Sequence, residues 1–290
     1  MPALGELIAA EGLPADYADF FGAVISPLAA HIAALHAARG RTILIGVNGA
    51  QGSGKTTLCR FLDRLALPEI GLSAATLSLD DFYLERSARL KLAEAIHPLL
   101  ATRGVPGTHD LAMLCSALGA LAAGALPVAI PRFDKATDDR ASRSEWQEIA
   151  KQPDIILLEG WCIGAAPQSD AGLRTPINAL ERDDDADGSW RRYVNAQLNG
   201  NYAELFAGFD ALVMLRVPYF ESVWEGRKRQ EDKLRLRAQG PDTAVMSDAQ
   251  LYRFIQHYER LTRHMLATLP QRADALIEKG EVDFRGVLGG

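Results

Sequence analysis

Apolar positions fall into two alternating periodicities along the chain. Between residues 14 and 39 they recur at helical spacing, with Leu28, Ile32 and Leu35 on one face, until Gly40 and Arg41 break the pattern. The next run, TILIGVN at 42–48, is nearly continuous in apolar residues and predicts a buried strand. In TTLCRFLDRLAL, residues 56–67, Leu58, Phe61, Leu62 and Leu65 predict an amphipathic helix laid on a sheet. Short apolar runs follow at 74–79, 155–158, 211–215 and 275–277, separated by stretches long enough for crossover connections. Such alternation predicts an α/β fold with a mainly parallel sheet. Near the C-terminus Ser247 and Gln250 form a capping box, and Leu251, Phe254, Ile255, Tyr258 and Leu261 follow at helical spacing. The acidic segment ERDDDADGSW, 181–190, reads as a solvated loop.

Between the first strand and its helix lies Gly49-Ala50-Gln51-Gly52-Ser53-Gly54-Lys55-Thr56, a match to G-x-x-x-x-G-K-S/T. Its glycines let backbone N–H groups converge on phosphate oxygens with no side chain in the way. Lys55 reaches the β and γ phosphates, Thr56 offers a hydroxyl to Mg²⁺, and Thr57 stands beside them at a helix N-terminus that favours anions. The expectation is therefore a P-loop NTPase fold of three layers, α/β/α, with additional helices. It comprises an N-terminal helical segment (1–40) and a kinase domain (41–290) carrying acceptor-binding and lid insertions. The guanine-reading N-K-x-D and T-K-x-D sequences are absent, which weakens a GTPase reading.

Candidate partners of this loop come from three places. SLDDFYL, 78–84, sets Asp80 and Asp81 at the carboxyl edge of the sheet, where one of them can accept a proton from an acceptor hydroxyl. IILLEG, 155–160, ends a strand in Glu159, the arrangement that places an acid near Mg²⁺. Arg103, Arg132 and Lys135 lie beside glycine and proline turns and can clamp an anionic group, a surface ion-pair cluster being the competing reading for Lys135. In RGVPGTHD, 103–110, Thr108 is expected to cap the next helix. Arg227, Lys228, Arg229, Lys233 and Arg235 lie on an expected helix, where arginines of a lid can neutralise a transferring phosphoryl group.

Taken together, GVNGAQGSGKTT, SLDDFYL, RGVPGTHD, PRFDKATDDR, ILLEGWCIG, WRRYVNAQL and FIQHYERLT resemble the glycerate kinase branch of the uridine kinase and phosphoribulokinase-like P-loop kinases, over roughly 41–265. The joint occurrence of RGVPGTHD and EGW is more specific than the phosphate loop alone. This resemblance implies ATP-dependent phosphorylation of a small hydroxy acid, with D-glycerate giving 3-phosphoglycerate as the leading case. By motif matching it assigns the base to Asp80, the Walker B acid to Glu159 and a lid arginine to Arg227. It implies acceptor contacts at Asp81, Tyr83, Arg103, His109 and Arg132, and more remotely at Asn195. The alternatives are a kinase for another small alcohol (a nucleoside, pantothenate or a sugar phosphate) and a nucleotide-binding regulator or ATPase module.

Composition narrows the partners. A net charge of -6 argues against binding nucleic acid or an anionic membrane surface, which leaves ATP and a small-molecule acceptor. Three scattered cysteines, Cys59, Cys115 and Cys162, offer neither a disulfide framework nor zinc spacing and read as buried thiols of a cytoplasmic protein. The apolar stretch at 111–130 is broken by Gly119, Gly124 and Pro127, and the first residues carry no basic leader, so neither a membrane span nor a signal peptide is expected. Oligomeric state is left open.

Overall fold

Residues 3–228 and 247–285 are described in the computed structural model. Its strands are β1 (Ile43–Gly49), β2 (Ala74–Ser78), β3 (Val128–Ile130), β4 (Phe133–Asp134), β5 (Asp139–Arg140), β6 (Gln147–Ile149), β7 (Ile155–Gly160), β8 (Ala211–Leu215), β9 (Ala275–Glu278) and β10 (Glu281–Phe284). Six of them form the central sheet in the order β10–β9–β8–β1–β7–β2. All neighbours pair in parallel except the β9–β10 hairpin. All five apolar runs expected as strands are strands of this sheet.

The sheet is covered on both faces, which is why its inner strands are apolar without alternation. In β7, Ile155 and Leu157 face one core, with Ile43, Ile45 and Val47 of β1, while Ile156 and Leu158 face the other. The first core is closed by the N-terminal helices, including Ser26–Arg39, and by the helix that opens at Lys55. The second is closed by helices Leu111–Ala123, Asn201–Ala207 and Asp248–Thr268. Full burial of each Ile, Leu or Val contributes about 1.5–3 kcal/mol, so two dry faces rather than helix propensity hold these layers. The three-layer α/β/α fold expected from the sequence is present. Helical residues Tyr17–Arg39 are long and apolar enough, at a mean hydropathy of 1.6, to cross a bilayer by length and composition. Here Phe21, Val24, Ile25, Leu28 and Ile32 are packed in the core beside the sheet.

Three local expectations need correction. The acidic segment at 181–190 is not a solvated loop: Ala179–Asp184 is a helix, and Glu181 and Asp185 are 0% exposed. Arg260 donates to both oxygens of Glu181 at 2.6 Å, and Arg191 donates to Asp185 Oδ2 at 2.8 Å. Each buried acid thus has a buried arginine, Arg260 from the helix Asp248–Thr268 and Arg191 from the helix Ser189–Asn199 that follows directly. The Leu111–Ala123 helix is capped by Asp110, which accepts from the Met113 N–H, and not by Thr108. Thr108 is fully buried and closes its own loop, accepting from Gly104 N–H and donating to the Val105 carbonyl. Of the cysteines, Cys59 and Cys162 are buried but Cys115 is exposed. Arg229, Lys233 and Arg235 lie outside the described residues.

Candidate active site

Register brings three pieces of chemistry to one edge. Val47 of β1 and Ser78 of β2 both align with Glu159 of β7, so the chain beyond each strand emerges at the same carboxyl end. From β1 the phosphate loop turns directly into the helix starting at Lys55. Gly54 sits at φ 93°, a left-handed conformation that costs a side-chain-bearing residue about 1 kcal/mol or more. At Gly49 a Cβ would collide with Ser53 Oγ, so a larger residue there would require the serine side chain to move.

After β2, residues Leu79–Phe82 form a single 3₁₀ turn. With three residues per turn, Leu79 and Phe82 eclipse one another and are both 0% exposed, which turns Asp80 and Asp81 outward. This turn is tied to the RGVPGTHD loop by the Asp110 N–H on the Phe82 carbonyl, 2.7 Å, and the Leu84 N–H on the Thr108 carbonyl, 2.9 Å. The loop in turn receives the Trp161 indole N–H on the Gly104 carbonyl, 2.8 Å, and the Tyr258 hydroxyl on the Arg103 carbonyl, 3.0 Å. Trp161 of EGW thus holds the RGVPGTHD loop.

The result is a cavity of about 530 Å³ at the sheet edge. Gln51, Gly52, Gly54, Lys55, Thr56 and Thr57 line its phosphate side. Asp80, Asp81, Tyr83 and Glu159 line the acidic side, and Arg103, Arg132, Lys135 and Arg227 supply further cations. Gly49, Ala50 and Ser53 shape the loop without facing the cavity. Glu159 is 4% exposed; its Oε1 accepts from Thr56 Oγ1 at 3.0 Å, and Lys55 Nζ stands 3.8 Å from Oε2. That Oε2 is buried with no hydrogen-bond partner, an oxygen suited to a hard cation or its water.

Asp80 has both oxygens occupied: Tyr83 Oη donates to Oδ1 and Lys135 Nζ to Oδ2, each at 2.8 Å. Burial pushes its carboxyl up, but Lys135, Lys55 and the Tyr83 hydroxyl outweigh this and hold it well below the usual carboxylate range. Asp81 serves differently. Its Oδ1 accepts the Phe133 N–H and its Oδ2 Arg132, both at 3.1 Å, so it anchors the β4–β5 hairpin. Burial leaves Asp81 raised from its ordinary value despite those donors.

Other sequence candidates are placed less directly. Arg103 lies over the Phe133 ring at 5.3 Å and pairs with Asp138 at the hairpin turn. Arg227 reaches the cavity and lies 5.8 Å from the Phe254 ring centroid. His109 does not line the cavity: it stacks behind Tyr83 at 4.8 Å, and its Nδ1 meets the Tyr202 hydroxyl at 2.6 Å. Burial lowers it from 6.5 to about 4. Asn195 is also elsewhere, bridging the backbone of Gln168. Sequence reasoning missed Phe254 and Tyr258 as cavity residues because their helical spacing reads as core, and it left Lys135 divided between clamp and surface.

A phosphate loop facing a buried strand-end acid and a turn-borne aspartate defines a P-loop kinase. No protein-family profile matches the chain. Among curated proteins, the uncharacterized kinase mug58 of Schizosaccharomyces pombe is 33% identical over 241 residues, covering 80% of this chain and 84% of that one. The chloroplastic D-glycerate 3-kinase of Arabidopsis thaliana is 31% identical over 236 residues, 78% of this chain, which spans about half (48%) of that relative. The solved D-glycerate 3-kinase of Cryptococcus neoformans superposes with a TM-score of 0.69 at 27% identity, covering 83% of this chain and 89% of that structure. The chain belongs to the glycerate kinase branch of the P-loop kinases. It is an ATP-dependent kinase of a small-molecule acceptor.

Proposed function

We propose that the protein transfers the γ-phosphoryl group of ATP to D-glycerate, giving 3-phosphoglycerate, with Asp80 as the base. The observation that carries this is the shared cavity, in which Asp80 lies between the phosphate loop and the cations Arg103, Arg132 and Lys135. An acceptor with a carboxylate beside its hydroxyl suits such a mixture of charges. The names of the plant and fungal relatives supply the particular acid.

In this reading the acceptor oxygen bonds to the γ-phosphorus, its proton passes to Asp80, and the electron pair of the broken bridge bond leaves with ADP. A positioned carboxylate contributes about 10² to 10⁴ in rate, or roughly 3–5 kcal/mol. Lys55 and Arg227 are assigned to the charge on the transferring group. Arg103 and Arg132 are assigned to the acceptor's carboxylate. Tyr83 acts through Asp80, and Asp81 through the hairpin. Thr56 and Glu159 would hold Mg²⁺ directly or through its water, and the buried Oε2 of Glu159 supports that fit. Bound there, the ion would neutralise phosphate charge.

The N-terminal helical segment, residues 1–40, is read as a support for the kinase domain at 41–290, since its apolar side chains share a core with β1. The free thiols support a cytoplasmic setting. The test is ADP release with Mg²⁺·ATP against D-glycerate, L-glycerate, uridine, pantothenate, ribulose 5-phosphate and no acceptor. Turnover confined to D-glycerate is expected; an equal response across the panel would sink this acceptor.

A further inference from the structure

Lys135 stands where acceptor recognition and proton acceptance meet. Its ammonium takes Asp80 Oδ2 at 2.8 Å while Tyr83 takes Oδ1. The two contacts differ in kind. Tyr83 is 3% exposed and fixed between His109 and Phe133, whereas the Lys135 side chain is 61% exposed. Asp80 is the partner the structure gives it among the described residues. The hairpin beneath Lys135 is pinned at its base by Asp81, through the Phe133 N–H and Arg132, and at its turn by Asp138, through Arg89 and Arg103. The backbone is therefore fixed, and the four-carbon stem is the movable part. The lysine half of the pair is open to solvent while the Asp80 half is 30% exposed, so the ammonium is the member that can move to another anion.

We propose that Lys135 is a specificity-determining switch: without acceptor it covers the Asp80 oxygen that would receive a nucleophile's proton, and an acceptor bearing a carboxylate draws the ammonium away. The inference rests on the reading of Asp80 as base. Water carries no charge and leaves Lys135 in place. Its attack on the γ-phosphorus, which would put its proton on Asp80 and release ADP with inorganic phosphate, is thereby suppressed. Neutral alcohols are rejected on the same ground. A hydroxy acid uncovers Oδ2, sets its hydroxyl against it, and is phosphorylated.

The test compares Lys135→Met, Lys135→Arg and Asp80→Asn, each as the full chain, by ADP release from Mg²⁺·ATP with D-glycerate, with glycerol and with neither. Lys135→Met is expected to raise ADP release about tenfold both without acceptor and with glycerol, and to raise the KM for D-glycerate by about tenfold or more, the scale of one lost charged hydrogen bond. Lys135→Arg should restore both. A raised KM with acceptor-independent release at the wild-type level would make Lys135 a clamp only and overturn the switch. Undiminished turnover in Asp80→Asn would instead remove the base on which the proposal stands. Loss of turnover there, with no gain in Lys135→Met, would sink the switch alone.

Discussion

Replacing Tyr83 with Phe removes one hydroxyl and leaves the ring. The lost contact is the 2.8 Å bond to Asp80 Oδ1, made inside a wall where Tyr83 is 3% exposed. Water cannot readily take its place. Hydrogen bonds to charged groups are worth about 1.5–3 kcal/mol, and at about 1.4 kcal/mol per tenfold this converts to a fall in kcat of roughly ten- to a hundredfold. Phe keeps the stack on His109 at 4.8 Å and the edge contact with Phe133 at 5.1 Å, so the melting temperature should shift by only a few degrees. Steady-state ADP release over a grid of ATP and acceptor concentrations, with a thermal melt beside it, makes the comparison. A KM for ATP within about twofold of wild type is expected, because Tyr83 lies on the acidic side of the cavity. Unchanged kcat with a raised acceptor KM would refute this account, and would return Tyr83 to the direct acceptor contact that the family resemblance implies.

Glu181→Ala strands Arg260, which is 9% exposed, and should destabilise the fold by about 3–5 kcal/mol in urea titration; a loss under about 1 kcal/mol would contradict the buried pair. Lys55→Ala should lower turnover by about a hundredfold or more while the chain still melts as a folded protein, because on the proposed reading this side chain serves phosphate; loss of the cooperative transition would show a structural role instead. Burial lowers His109 and His257 from 6.5 to about 4, so the unfolded chain binds more protons between those values. Their stabilisation is complete above about pH 6.5 and is lost as pH falls toward 4, on the order of 3 kcal/mol each at the limit. A melting temperature that stays level from neutral pH to about pH 5 would contradict this.

Much of this arrangement was legible in sequence because it is local. The phosphate loop, its strand and its helix are contiguous, and β7 carries Glu159 one residue before its end, after a run whose apolar continuity already marks burial on both faces. LDDF even encodes its own orientation through the three-residue spacing of Leu79 and Phe82. What stayed hidden depends on partners far along the chain. Glu181 reads as solvated until Arg260 is brought beside it, and Thr108 reads as a helix cap until Gly104 and Val105 claim its hydroxyl. His109 and Asn195 belong to motifs that mark the family, yet they support the wall or another part of the fold rather than facing the cavity. Membership of a motif does not say what a residue touches, and geometry does.

Glu159 and the chain beyond β1 and β2 are held in register by paired strands, while Arg132 and Lys135 are carried by a hairpin that joins the site through Asp81 and Asp138. On the proposed reading, acceptor choice is thus carried by a hairpin outside the central sheet, and it meets the phosphoryl chemistry through the Lys135–Asp80 contact. Residues 132–140 take no part in the register of the central sheet, so on that reading a change confined to them would alter acceptor preference and leave the phosphate loop in place. Chimeras that swap this hairpin should change the ratio of acceptor KM values and leave the KM for ATP where it was.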